Sequence, residues 1–159
     1  VREVPVTFIT ISTDKWTQRY LALAAHVATW SKDPSTKVGA IIVSAKNRQL
    51  IAVGYNGLPS GLADTPERLA DRSTKYALTV HAERAVLDNA SFDVEGATLV
   101  STLHPCAECA KSIIAKRLRR VVTRPAPDRE PWAESAQLAA SMLAEAGVEL
   151  VVVPTNPLT

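Results

Sequence analysis

The sequence predicts a three-layer α/β protein in which helices cover both faces of a five-stranded mixed sheet. Three observations carry this expectation. Short β-branched runs alternate with helical segments of ~10–15 residues, the pattern produced by right-handed crossovers to a partly parallel sheet. At 159 residues the chain has the length of one ordinary domain, able to bury roughly two-thirds of its unfolded surface around a single core. Hydrophobic residues make up 47% and charged residues 21%, the globular average, which excludes a disordered, collagen-like or coiled-coil chain.

The elements follow in order. Residues 1–12 hold no clean period in Val4, Val6, Phe8 and Ile11 and read as a loosely attached arm on a single domain spanning 1–159. Ser12-Thr13-Asp14 offers three cap residues ahead of an amphipathic helix marked by Trp16, Tyr20, Leu23, Ala24 and Val27, which Asp33-Pro34 should end. Val38–Ser44 and Gln49–Tyr55 form a hairpin across Ala45–Arg48. Gly54-Tyr55-Asn56-Gly57-Leu58-Pro59-Ser60-Gly61 reads as a loop with several positive-φ positions, followed by a polar connector to about Leu78. His81–Asn89 is then a helix, Ala97–Leu103 a strand, Cys106–Lys116 a helix and Arg119–Thr123 a strand. Trp132–Glu145 is an alanine-rich helix closed by Gly147 at its C′ position, ahead of the strand Val148–Val153.

Composition narrows the function classes. Eighteen Lys and Arg against sixteen Asp and Glu give +2, and only eight Trp, Tyr and Phe are present, which argues against a nucleic-acid binder. The longest apolar runs, such as Leu21–Ala25 and Leu150–Val153, fall far short of the 18 or so residues that cross a bilayer. The first residues lack the apolar stretch of a secretory signal, so a soluble cytoplasmic protein is expected. The basic residues Lys111, Lys116, Arg117, Arg119 and Arg120 read as a solvated helix end.

The only two cysteines, Cys106 and Cys109, give no disulfide framework, and a C-x-x-C pair is a metal or redox element. His81-Ala82-Glu83 and Pro105-Cys106-Ala107-Glu108-Cys109 each open a predicted helix, and the 21 residues between Glu83 and Pro105 hold the rest of the first helix, a turn and one strand. The two helix starts can therefore meet at one end of the sheet, where open α/β folds place their sites. Cys106 and Cys109 share a helix face, and a helix N-terminus favours their thiolates. One imidazole and two thiolates leave the fourth tetrahedral position of Zn²⁺ open to water, which marks a catalytic site. Glu83 lies near enough to move that water's proton without being a ligand. A redox pair would want its C-x-x-C after the first strand, and here it follows the third. A closed structural site would need His104 as fourth ligand, which the ligand spacing disfavours.

H-x-E with P-C-x-x-C is the general signature of zinc deaminases, and beyond it the chain resembles the deoxycytidylate (dCMP) deaminases of the cytidine deaminase superfamily. The narrower likeness rests on Ser31-Lys32-Asp33-Pro34-Ser35-Thr36-Lys37-Val38-Gly39-Ala40, on Gly54 to Gly61, on Thr74-Lys75-Tyr76, and on Cys109-Ala110-Lys111 with Ile113-Ile114. It implies a cytidine-deaminase-like α-β-α fold and hydrolytic deamination of dCMP to dUMP and ammonia, feeding thymidylate synthesis, with one zinc per chain. By the resemblance, His81, Cys106 and Cys109 hold the metal and Glu83 moves protons to N3 and the departing amine. Ala40 and Ala82 hold the base edge, and Lys32, Ser35 and Asn56 take the sugar and 5′-phosphate. Gly54, Tyr55, Asn56 and Gly57 would contribute to an effector site for dCTP with Mg²⁺, inhibited by dTTP, in a homo-oligomer, commonly a hexamer. Family members usually carry Asn where this chain has Ala85, Gly where it has Lys116-Arg117, and an aromatic after the fourth strand; residues 123–127 have none, and Trp132 is the nearest ring. The rival readings are deamination of a 5-substituted nucleotide such as 5-methyl-dCMP, of a free nucleoside or base, or of tRNA adenosine, and a zinc-stabilised binding module without turnover.

Overall fold

A computed structural model describes residues 14–154; the arm expected over residues 1–12 lies outside them. The first helix, α1 (Lys15–Ala28), starts where the sequence places it: the Asp14 carboxylate accepts from the Trp16 and Thr17 amides at 3.3 Å. It ends five residues ahead of the expected Asp33-Pro34 stop, because Thr29 turns back and its hydroxyl donates to the His26 carbonyl at 2.6 Å.

The hairpin β1 (Gly39–Val43) and β2 (Leu50–Tyr55) follows as predicted. The expected polar connector instead contains two short helices, α2 (Pro66–Ala70) and α3 (Arg72–Leu78). Both are too short and polar to show an apolar period. Thr65 capping the Arg68 amide and Pro66 at the first helical position were the available local signals. The remaining elements are α4 (Ala82–Asn89), β3 (Thr98–Ser101), α5 (Ala107–Ala115), β4 (Arg120–Thr123), α6 (Trp132–Glu145) and β5 (Glu149–Val152).

The strands join into one mixed sheet in the order β2-β1-β3-β4-β5, with β1 antiparallel to both neighbours and β3, β4 and β5 parallel. Alternation along each strand divides the core in two. Ala40, Ile42, Leu99, Val121, Leu150 and Val152 face α4, α5 and α6, packing on Val86, Ile113 and Leu143. Ile41, Val43, Val100, Val122 and Val151 face the other way, where α1 contributes Leu21, Ala24 and Val27. Three layers result, as the sequence predicts.

The glycine-rich stretch differs from its reading as a loop with several positive-φ positions. Of its glycines only Gly61 has positive φ, at 103°. Gly54 belongs to β2, and there it is closeness of packing that excludes a side chain: a Cβ would lie 2.5 Å from the Val86 amide nitrogen in α4. Gly39 is tighter still, with a Cβ position 2.1 Å from the Ala24 carbonyl in α1. Arg117, in the Lys116-Arg117 pair that follows α5, takes the left-handed conformation at φ 58°.

Gly39→Ala and Gly54→Ala should each lose about 1–3 kcal/mol of stability, because backbone must move to admit one methyl. Gly57→Ala, with nothing within 4 Å of its Cβ position, should stay within about 0.5 kcal/mol of the parent. Urea midpoints measure all three, and equal midpoints would remove the packing explanation.

Candidate metal centre and active site

Strand directions bring the site together. Gly39 pairs with Tyr55 and Ala40 with Ser101, so the start of β1 and the ends of β2 and β3 share one edge of the sheet. At that edge α4 and α5 begin, with His81 and Cys106 as their N-cap residues. The Cys109 amide points at the Cys106 sulfur, 3.5 Å away, so the open end of α5 stabilises a thiolate.

His81 Nδ1 lies 3.5 Å from Cys106 Sγ and 3.4 Å from Cys109 Sγ, and the three donor atoms fall within 4.8 Å of one another. Tetrahedral zinc with ordinary Zn–N and Zn–S bonds sets nitrogen and sulfur ~3.6 Å apart, so the donor set fits the ion. The protonation chemistry fits too. A hydrogen bond from Cys109 pulls the Cys106 thiol down to about 4, against the opposing effect of burial and with help from His81. The bond to Cys106 drives Cys109 up, and burial adds to this; Cys106 likewise raises His81. Three groups competing for protons at one point are groups a dication would bind by displacing them. His104 stays out of the cluster, its Nδ1 3.0 Å from the Pro105 carbonyl.

Beside the cluster Glu83 is 4% exposed, and burial pushes its carboxyl up to about 7. Cys109 Sγ lies 3.8 Å from Glu83 Oε2. Ser101 Oγ lies 3.2 Å from Glu83 Oε1 and 2.9 Å from the Leu103 carbonyl. That hydroxyl has a single proton; given to Leu103, it leaves an oxygen able to accept from a neutral Glu83. The pair thus accommodates both protonation states of the carboxyl.

One cavity is lined by His81, Ala82, Glu83 and Cys106 together with Asn56, and its other walls include Asp33, Thr36, Lys75, Tyr76, His104 and Trp132. Trp132 supplies the ring that residues 123–127 lack. Asn56 is buried, accepting from the Val38 amide and donating to the Thr36 carbonyl, both at 2.8 Å. These bonds leave one amide proton and one lone pair for other partners.

The structure does not bring every expected residue to this cavity. Ala40 is fully buried within β1. Lys32 pairs with Asp64 at 2.7 Å and lines a neighbouring cleft with Tyr55, Gly57 and Asp64, Asn56 forming the wall between the two. Ser35 holds Lys75, whose ammonium donates to its hydroxyl at 2.8 Å. Gly54 lies beneath α4, outside the lining of either cleft. The basic stretch carries acidic partners, with Glu108 on Lys111, Glu95 on Arg117 and Glu149 on Arg120.

Sequence reasoning missed the Lys75–Asp33 pair, whose side chains are 4% and 9% exposed and 3.0 Å apart. Burial tends to raise the Asp33 pKa, but the Thr36 and Ser35 amides and the Lys75 ammonium outweigh it and hold the carboxyl below its usual range. The pair ties α3 to the loop between α1 and β1. Only the Thr74-Lys75-Tyr76 match singled the lysine out.

Two soft sulfurs and one imidazole around a point, with a buried carboxyl alongside, define a zinc-binding α/β protein with one ligand position left for a small molecule. The model for the cytidine and deoxycytidylate deaminase zinc-binding region matches residues 14–124, and the chain belongs to that family. An uncharacterized deaminase in the luxG 3′ region of Aliivibrio fischeri is 36% identical over 147 residues, 89% of this chain and 96% of its own. The mouse deoxycytidylate deaminase is 40% identical over 116 residues, 68% of this chain, and this chain spans 64% of its length. The apo crystal structure of dCMP deaminase from the cyanophage S-TIM5 superposes with a TM-score of 0.68 at 26% identity, covering 89% of this chain and all of that one. Among the described residues, no helix is long and apolar enough to cross a membrane.

Purified protein should carry about one equivalent of zinc, and Cys106→Ala should lose it; full zinc occupancy in that variant by elemental analysis would remove Cys106 from the ligand set. Lys75→Met should cost roughly 3–5 kcal/mol by stranding a buried carboxylate, with Asp33→Asn on top restoring part of the loss. The depressed Asp33 pKa contributes stability above the unfolded-state value of about 3.9, lost as pH falls through the folded value, so the parent's melting temperature should fall more steeply on acidification than the double variant's. Parallel melting profiles would contradict this.

Proposed function

We propose that this protein hydrolyses dCMP to dUMP and ammonia, as one catalytic unit per chain. The observation that carries the reading is Glu83: a buried carboxyl beside three zinc-type donors, in the same cavity as Ala82 and Asn56. Zn²⁺ held by His81, Cys106 and Cys109 would acidify a water so that hydroxide is available near neutral pH. Glu83 takes the proton released and passes it to N3 of the cytosine as C4 is attacked; it then takes the second proton, from the hydroxyl now on C4, and delivers it to the amine, which leaves as ammonia while C4 becomes a carbonyl. Burial suits this task, since it brings the carboxyl near the working pH and keeps bulk water from competing for the proton. Ser101 fixes the carboxyl. Ala82 supplies main chain at the base, Asn56 keeps its wall in place through Val38 and Thr36, and the Tyr76 and Trp132 rings flank the bound nucleotide.

The deoxycytidylate deaminases among the relatives support dCMP over tRNA adenosine, a free nucleoside or base, or a binding module without turnover. The same reading assigns the cleft of Tyr55, Asn56 and Gly57, with Gly54 in the strand beneath, to dCTP accompanied by Mg²⁺ and to dTTP. It includes a cytoplasmic homo-oligomer, a hexamer by family likeness. Rates unaltered by either triphosphate would dispose of the effector assignment.

Zinc-loaded protein should release ammonia from dCMP faster than from deoxycytidine, cytidine, 5-methyl-dCMP or a tRNA stem-loop. Another preferred substrate would displace dCMP, and no turnover on any would favour the binding-module reading. Glu83→Gln should retain zinc and lose about 10²–10⁴-fold in kcat; near-normal turnover by a zinc-replete variant would overturn the proton-transfer role.

A further inference from the structure

We infer that Arg72 and Arg129, at the mouth of the metal cavity, bind the 5′-phosphate and set the preference for a nucleotide over a nucleoside. This rests on the dCMP reading and names the part of the site that selects the phosphate. The arginines stand 57 residues apart in the sequence, Arg72 opening α3 and Arg129 preceding α6, yet both line one cleft. That cleft shares Thr36, Lys75, Tyr76 and Trp132 with the metal cavity, so the two spaces adjoin at these four residues.

The shared rings also position the cations. The Arg72 guanidinium lies 5.2 Å from the Tyr76 ring centre, and the Arg129 guanidinium 5.1 Å from that of Trp132. Cation–π contact engages the face of a guanidinium and leaves its in-plane N–H donors available, the geometry that suits a phosphate.

Charge separates this cleft from its neighbour. No carboxylate lines it, and neither arginine has an acidic partner among the described residues. Lys75 is neutralised by Asp33, so the uncompensated charge is that of the two guanidiniums. The cleft of Lys32 carries both Asp33 and Asp64, the latter bonded to Lys32, so a phosphate there needs a metal ion beside it. The cation that the family likeness assigns to the phosphate is therefore occupied elsewhere, and two others face the substrate's path.

The test compares kcat/KM for dCMP with that for deoxycytidine in zinc-loaded parent, Arg72→Gln, Arg129→Gln and the double variant, with calorimetric binding of dUMP and deoxyuridine alongside. The dCMP-to-deoxycytidine ratio should fall about tenfold per arginine and about a hundredfold in the double variant, as loss of charge-assisted hydrogen bonds predicts. dUMP affinity should fall in step relative to deoxyuridine. A double variant that keeps the parent ratio would overturn the assignment, as would a ratio that collapses in Lys32→Ala instead. If the parent fails to deaminate dCMP, the reaction reading fails separately and binding decides: selective loss of dUMP affinity in the arginine variants sustains the phosphate site, and unchanged affinity refutes it.

Discussion

Two thiols, an imidazole and a carboxyl crowded at the starts of two helices form the constraint on which the rest of the structure depends. Cys106, Cys109 and Glu83 can each carry negative charge, and two of them are buried. Holding such groups together in a low dielectric is costly without positive charge to offset it. The open end of α5 supplies part through the Cys109 amide, His81 supplies more, and a divalent ion suits what is left. The fold satisfies this electrostatic demand by ending β3 and beginning α4 and α5 along one edge of the sheet.

The opposite wall of the cavity follows another logic. No regular element forms residues 31–38, so side chains must organise their backbone. Asn56 bonds the loop at Thr36 and Val38, and Asp33 gathers the Ser35 and Thr36 amides along with the Lys75 ammonium. An ion pair this dry adds little net stability compared with an apolar substitute, but it fixes geometry. Here it fixes where α3 sits against the loop, and hence where Tyr76 and Arg72 stand. The cleft of Lys32 and the cleft of the two arginines consequently differ in charge, the first lined by Asp33 and Asp64 and the second by no carboxylate.

Much of this architecture was legible in the sequence because its signals are local. Asp14 caps its own helix, Trp132–Glu145 has a helical period and a glycine stop, and the paired ligand motifs lie at helix starts that one crossover must juxtapose. What stayed hidden depends on distance through the fold. Lys75 reads as an ordinary surface lysine until Asp33, 42 residues away, closes over it. Lys32 has the right chemistry for a phosphate, but Asp64 occupies it. The helices α2 and α3 escaped because five and seven residues cannot display an apolar period. The glycine-rich stretch was misread for a different reason: at Gly54 the missing side chain matters for what lies above the strand, with no demand on φ.

That last feature governs how the protein can change over evolutionary time. At Gly39 and Gly54, on opposite faces of the sheet, main chain of α1 and α4 rests directly on main chain of the strands. Elsewhere in the core, a larger residue at one position can be accommodated by a smaller one nearby, and layer spacing drifts with the exchange. At these two contacts there is no side chain to trade. The height of α4 above β2 is therefore pinned one turn from Glu83, so neighbouring core positions can diversify while the altitude of that carboxyl stays fixed.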